Sequence, residues 1–96
     1  MNTNETMEVM DLVYGNLRTI AEKGVQVLFL SNSESVTVEF SAYDKKLLTF
    51  SIIIFSHDKA EKMAFLNKTV DALVKTDNVF KAIADAIHEY YNTFAF

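Results

Sequence analysis

The sequence has no cysteine, no proline and no tryptophan, and only two glycines, Gly15 and Gly24. The lack of cysteine removes thiolate catalysis, thiolate metal ligation and any disulfide staple, and fits a reducing compartment. The scarcity of glycine leaves no Gly-rich phosphate loop, and with no proline there is no linker of either the flexible or the stiff kind. No apolar run approaches the roughly twenty residues that a membrane-spanning helix needs, so no membrane partner is expected. Basic residues never cluster beyond the pair Lys45-Lys46, and the net charge of −4 is spread along the chain. That balance argues against binding a polyanion, and so against nucleic acid as a partner. The opening stretch MNTNETMEVMD has acidic residues and no apolar centre where a signal peptide would be basic and then apolar. A cytoplasmic protein is the expectation, and in one the glycosylation-like Asn4-Glu5-Thr6 and Asn67-Lys68-Thr69 are chance matches.

Half of the 96 residues are apolar and 12% are aromatic. A single domain over residues 1–96 can then hide roughly 60 to 65% of the surface that its unfolded chain exposes, without metal or disulfide. The chain is organised around Leu47 to Ser56, LLTFSIIIFS, which has no charge, proline or glycine. Its Phe50, Ile52, Ile53, Ile54 and Phe55 suit a pleated surface and gain little in a helix, so the stretch reads as a strand. Leu48, Phe50, Ile52 and Ile54 line one face; Leu47, Thr49, Ser51, Ile53 and Phe55 line the other, polar only in its middle. Bare, such a segment is aggregation-prone, so something must cover its edge and its far end.

In chain order, Asn2 or Thr3 can cap a first helix to about Lys23, with Glu5 and Glu8 near its positive end. Met10, Val13, Tyr14, Leu17, Ile20 and Ala21 form its apolar stripe, and Gly24 is placed to end it in a left-handed turn. Val25–Leu30 is a second strand candidate, Ser31-Asn32-Ser33-Glu34 a polar turn, and Val36–Tyr43 the clearest alternation in the chain. Asp44-Lys45 is read as the tight turn into the Leu47 strand. Asp58 and Glu61 have the capping-box spacing and open a helix to about Lys75, with Met63, Leu66, Val70, Leu73 and Val74 as its stripe. Thr76-Asp77 separates it from a last helix over about 78–92, with Phe80, Ile83, Ala84, Ile87 and Tyr91 on its apolar side. The order predicts an α+β fold: an N-terminal helix, a three-stranded antiparallel meander, and two C-terminal helices packed on the sheet.

Chemistry has little to draw on. His57-Asp58 with Asp85, His88 and Glu89 could hold a metal, as the His-Asp pair does in HD-type phosphohydrolases, and a small metal-dependent hydrolase using His57, Asp58 and His88 is one reading. Each residue also has a local explanation, since Asp58 can cap a helix and Asp85 can pair with Lys81 one turn back. Ser56-His57-Asp58 are consecutive and cannot form a catalytic triad among themselves. The expectation is therefore no catalytic residue, no metal and no cofactor. Met7, Leu12, Tyr90, Phe94 and Phe96 exceed what one small core obviously needs, which favours a binding surface.

In layout the chain resembles some small phage-encoded inhibitors, including certain anti-CRISPR proteins: short, acidic, Cys-free, and helix, meander, helix, helix. The resemblance is one of layout and brings no functional residue with it. The function expected is a non-enzymatic protein-interaction module, an inhibitor from a phage or mobile element or a small adaptor, acting through the apolar end of the outer sheet face and the edge of the third strand. The alternative is a self-associating structural homodimer that uses the same surface. In a meander the first and third strands run the same way, which puts Leu28, Leu30, Ile53 and Phe55 at one end of the outer face as the partner-binding residues. At about 25 cal/mol per Å2, their burial could contribute several kcal/mol, and a homodimer is expected, joined by stacked outer faces or by third strands paired edge to edge. The competing expectation is that Tyr90 to Phe96 folds over that face within one chain.

Overall fold

A computed structural model describes residues 16–95, with Leu17 described by its backbone alone. The expected start of a first helix at Asn2 or Thr3, with Met7 and Leu12, lies outside the described residues, as does Phe96. The described chain runs α1 (Leu17–Glu22), β1 (Gln26–Ser31), β2 (Ser35–Ala42), β3 (Lys45–Ile53), α2 (Lys59–Lys75) and α3 (Val79–Thr93). This is the α+β order that the hydrophobic periods imply, with the three strands paired antiparallel in the order β1-β2-β3.

Each turn has a local cause. Gly24 takes φ +91°, the left-handed conformation glycine adopts without penalty, and α1 ends there with Lys23 N–H donating to the Ile20 carbonyl. The Asn32 side chain accepts from the N–H groups of Glu34 (2.8 Å) and Ser35 (2.9 Å), building the first hairpin. The second hairpin departs from the expected Asp44-Lys45 turn. Ala42 pairs with Lys45, so Tyr43 and Asp44 are the central residues, and both are left-handed, at φ +53° and +63°. A two-residue hairpin turn needs positive φ at both places to match the strand twist, and that geometry placed the turn one residue earlier.

The inner face carries Val36, Val38, Phe40 and Ala42 from β2 and Leu48, Phe50 and Ile52 from β3, all buried. Ile20, α2 through Phe65, Leu66, Val70 and Leu73, and α3 through Val79, Ile83 and Ala86 close the core over it. The buried side of α3 is turned from the expected stripe. Ile83 belongs to it and Ile87 packs against it, but Phe80, Ala84 and Tyr91 face water while Tyr90 and Phe94 pack on the core. Val79, Ile83, Ala86 and Tyr90 recur at helical spacing as well as the expected set does. The aromatic cluster settles the choice: Tyr90 lies 5.3 Å from Phe50, and Phe94 5.9 Å from Phe65, between ring centres. Tyr90 and Phe94 therefore belong to the inner side, and the expectation that the C-terminal aromatics cover the outer face does not hold for these two.

Two lysines tie the layers together. Lys23 Nζ donates to the carbonyls of Val74 (2.6 Å) and Thr76 (2.7 Å), satisfying orphan acceptors at the negative end of α2. Near the other end of α2, Lys62 Nζ donates to the Ser51 carbonyl of β3 at 3.0 Å.

Candidate functional site

The outer face of the sheet is the surface the helices leave bare among the described residues. Its rows follow from the register: Leu28 opposite Glu39 opposite Thr49, then Leu30 opposite Thr37 opposite Ser51, then Ser35 opposite Ile53. Leu28 is 48% exposed, Leu30 61% and Ile53 49%. Phe55 follows β3 in a turn closed by Ser56 N–H donating to the Ile53 carbonyl, and it is 67% exposed. The four residues are not one contiguous patch. β1 and β3 lie two strand spacings apart, about 10 Å, and the half-buried Ser35, Thr37, Glu39 and Ser41 of β2 run between them. Thr37 Oγ1 and Ser51 Oγ are hydrogen-bonded at 2.8 Å, and Lys46 Nζ reaches Glu39 Oε1 at 3.4 Å. The face has apolar flanks and a hydroxyl-rich centre.

The far end of the free edge of β3 is occupied. Ile54 N–H donates to the Glu34 carbonyl, and with the strict alternation of an antiparallel ladder this turns the carbonyls of Ser51 and Ile53 away from β2. Ser51 accepts from Lys62 Nζ at 3.0 Å and Ile53 from Ser56 N–H at 3.0 Å. A lysine at a strand edge is a recognised device against edge pairing. Of the two dimer geometries expected, edge pairing through β3 is the obstructed one.

Lys62 also sits 3.5 Å from Asp58 Oδ2 and 5.8 Å from the centre of the Phe94 ring. Asp58 is not the cap its spacing implies. It stands at the N-cap position, but its side chain accepts no backbone N–H; Oδ1 accepts instead from Ser56 Oγ at 2.5 Å. The Ser56 hydroxyl, followed by the Lys62 ammonium, holds the Asp58 carboxyl below its ordinary range. A neighbouring hydroxyl and a cation outcompeted the helix end. Burial against the aromatic cluster pushes the Tyr90 phenol up.

The His-Asp constellation is dispersed. His57 and His88 are exposed, Asp85 pairs with Lys81 at 3.6 Å as its spacing implies, and Glu89 bridges to Lys68 at 2.5 Å. Among the described residues no three His, Asp or Glu side chains are grouped as a metal would require. Ser56 and Asp58 bond directly, with His57 outside the pair. An open groove of about 430 Å3 between α2 and α3 has Thr69, Ala72, Ala82 and Ala86 on its floor and rim charges already paired as Lys68–Glu89 and Lys81–Asp85. It offers no acid, base or nucleophile set apart from its neighbours.

Sequence reasoning missed one exposed feature, the rings of Tyr43 and Phe80, stacked at 5.9 Å with an interplanar angle of 14°. Tyr43 is 81% exposed. The signal was present in the Tyr43-Asp44 dipeptide, but only the correct turn register reveals it. No helix among the described residues is long and apolar enough to cross a membrane. Comparison with protein-family models, with curated proteins and with solved structures finds no match to this chain.

Proposed function

We propose that this chain is a small non-enzymatic protein-interaction module, an inhibitor or adaptor that acts through the outer face of its sheet. One observation carries the reading: Leu28, Leu30, Ile53 and Phe55 remain about half exposed or more, and the described helices all serve the opposite face. Four side chains exposed to that degree present on the order of 400 Å2 of apolar surface. This is about half of what one partner contributes to an interface of ordinary size. The hydroxyls of Ser35, Thr37, Thr49 and Ser51 would supply the remainder, giving apolar flanks with a polar centre that fixes register.

A second copy of the chain is the alternative occupant; with Lys62 on the β3 edge, face-to-face stacking is the less obstructed two-fold arrangement. Affinity capture from a lysate of the cells in which the protein occurs tests the main reading. A protein retained by the wild type and lost with Leu30→Lys/Ile53→Lys supports it; equal retention by both forms overturns it.

A further inference from the structure

We propose that two copies of this chain can exchange the segment β3-α2-α3, with the Tyr43-Asp44 turn as the hinge. Three observations lead there. The turn holds two consecutive non-glycine residues in the left-handed region, one of them a bulky tyrosine, where asparagine and glycine are the residues that fit without strain. The Tyr43 ring is mostly in water and stacks on Phe80, itself half exposed, so the side chain gains little burial in return for its backbone conformation. The turn also divides one shared core: Val36, Val38 and Phe40 on one side of it, and Leu48, Phe50, Ile52, Phe65, Leu66, Val70 and Leu73 on the other.

Opening the turn into extended backbone relieves both left-handed residues. Every inner-face contact and the whole β2–β3 register, from Ser35↔Ile53 to Ala42↔Lys45, can then re-form between two chains. Short hinges under strain favour this exchange, because the closed monomer and the exchanged dimer share all their contacts except those at the hinge. The irregularity between Phe40 and Ser41, beside the turn, adds a second departure from regular pairing near the hinge. The exchange is separate from binding at the outer face. An exchanged dimer dissociates only by unfolding one of its halves, whereas a face-to-face dimer dissociates freely on dilution.

The absence of cysteine gives a direct test. Thr37 and Ser51 are directly opposed, with their oxygens 2.8 Å apart, so Thr37→Cys/Ser51→Cys places a disulfide across β2 and β3. The protein is refolded at millimolar and at micromolar concentration, oxidised, fractionated by size exclusion with light scattering, and run on a denaturing gel without reductant. The expected result is a dimer fraction, enriched at high refolding concentration, in which the disulfide joins two chains covalently. In a second variant, Tyr43→Asn/Asp44→Gly, the dimer fraction should fall several-fold while Leu30→Lys/Ile53→Lys leaves it unchanged. No dimer on refolding at millimolar concentration, a dimer that separates into single chains on the gel, or a fraction unaltered by Tyr43→Asn/Asp44→Gly would each overturn the proposal. Failure of the cysteine variant to fold leaves the turn variant, read by light scattering alone, to decide it.

Discussion

The ammonium of Lys62, one turn into α2, donates to the carbonyl of Ser51 on the free edge of β3 at 3.0 Å. The same group lies beside Asp58 and under the Phe94 ring. Its side chain is only 15% exposed. One partly buried cation therefore caps a carbonyl on a strand edge, joins α2 to the sheet and receives the end of α3.

Lys62→Met keeps the aliphatic length and removes the charge. A hydrogen bond from a charged donor contributes about 1.5–3 kcal/mol, so the midpoint of urea denaturation should move down correspondingly with its slope unchanged. The freed Ser51 carbonyl should also make the variant more prone to self-associate through β3. A variant as stable as the wild type would show that the three contacts of Lys62 carry no net weight.

Asp58 titrates below its ordinary value of 3.8 because Ser56 and Lys62 favour the carboxylate. Its contribution is then complete above the unfolded value and is lost as pH falls through the lower folded one. Thermal stability of the wild type should decline below about pH 4 more steeply than that of Asp58→Asn, the two curves converging in strong acid. Parallel curves across that range would remove the Ser56–Asp58–Lys62 cluster as a determinant of acid stability.

Phe94 reaches Phe65 and Tyr90 across the end of the helix pair. Phe94→Ala should destabilise the fold by about 1–2 kcal/mol, less than a fully buried phenylalanine because part of the ring meets water. Phe55→Ala, an exposed ring of equal size, should change stability by less than about 0.5 kcal/mol. If the two substitutions have equal effects, the division of C-terminal and turn aromatics between core and surface is wrong.

The element order was legible because the dominant periods agree with the local signals. Val36 to Ala42 alternates without exception, Gly24 stands where α1 ends, and Asp58 stands where α2 begins. What escaped is what depends on choices between near-equal alternatives. The Asp58 carboxylate had a backbone N–H and a Ser56 hydroxyl both within reach, and its spacing to Glu61 speaks only to the first. On α3, either Tyr90 or Tyr91 could face inward, and the decision lies with Phe50 and Phe65, far away in sequence. The candidate surface shows the same limit. Alternation places Leu28, Leu30 and Ile53 on the outer face, but the β2 hydroxyls that separate them appear only once the register is known.

The outer face as a protein-binding surface is tested most directly by sedimentation velocity over a concentration series, paired with hydrogen–deuterium exchange. For the wild type, we expect a rapidly reversible concentration-dependent increase in sedimentation coefficient, with slowed exchange confined to residues 26–31, 35–42 and 45–55. Both effects should vanish in Leu30→Lys/Ile53→Lys while its melting temperature is preserved. A wild type that associates with protection on α2 and α3 instead, or a face variant that associates equally well, would contradict the account.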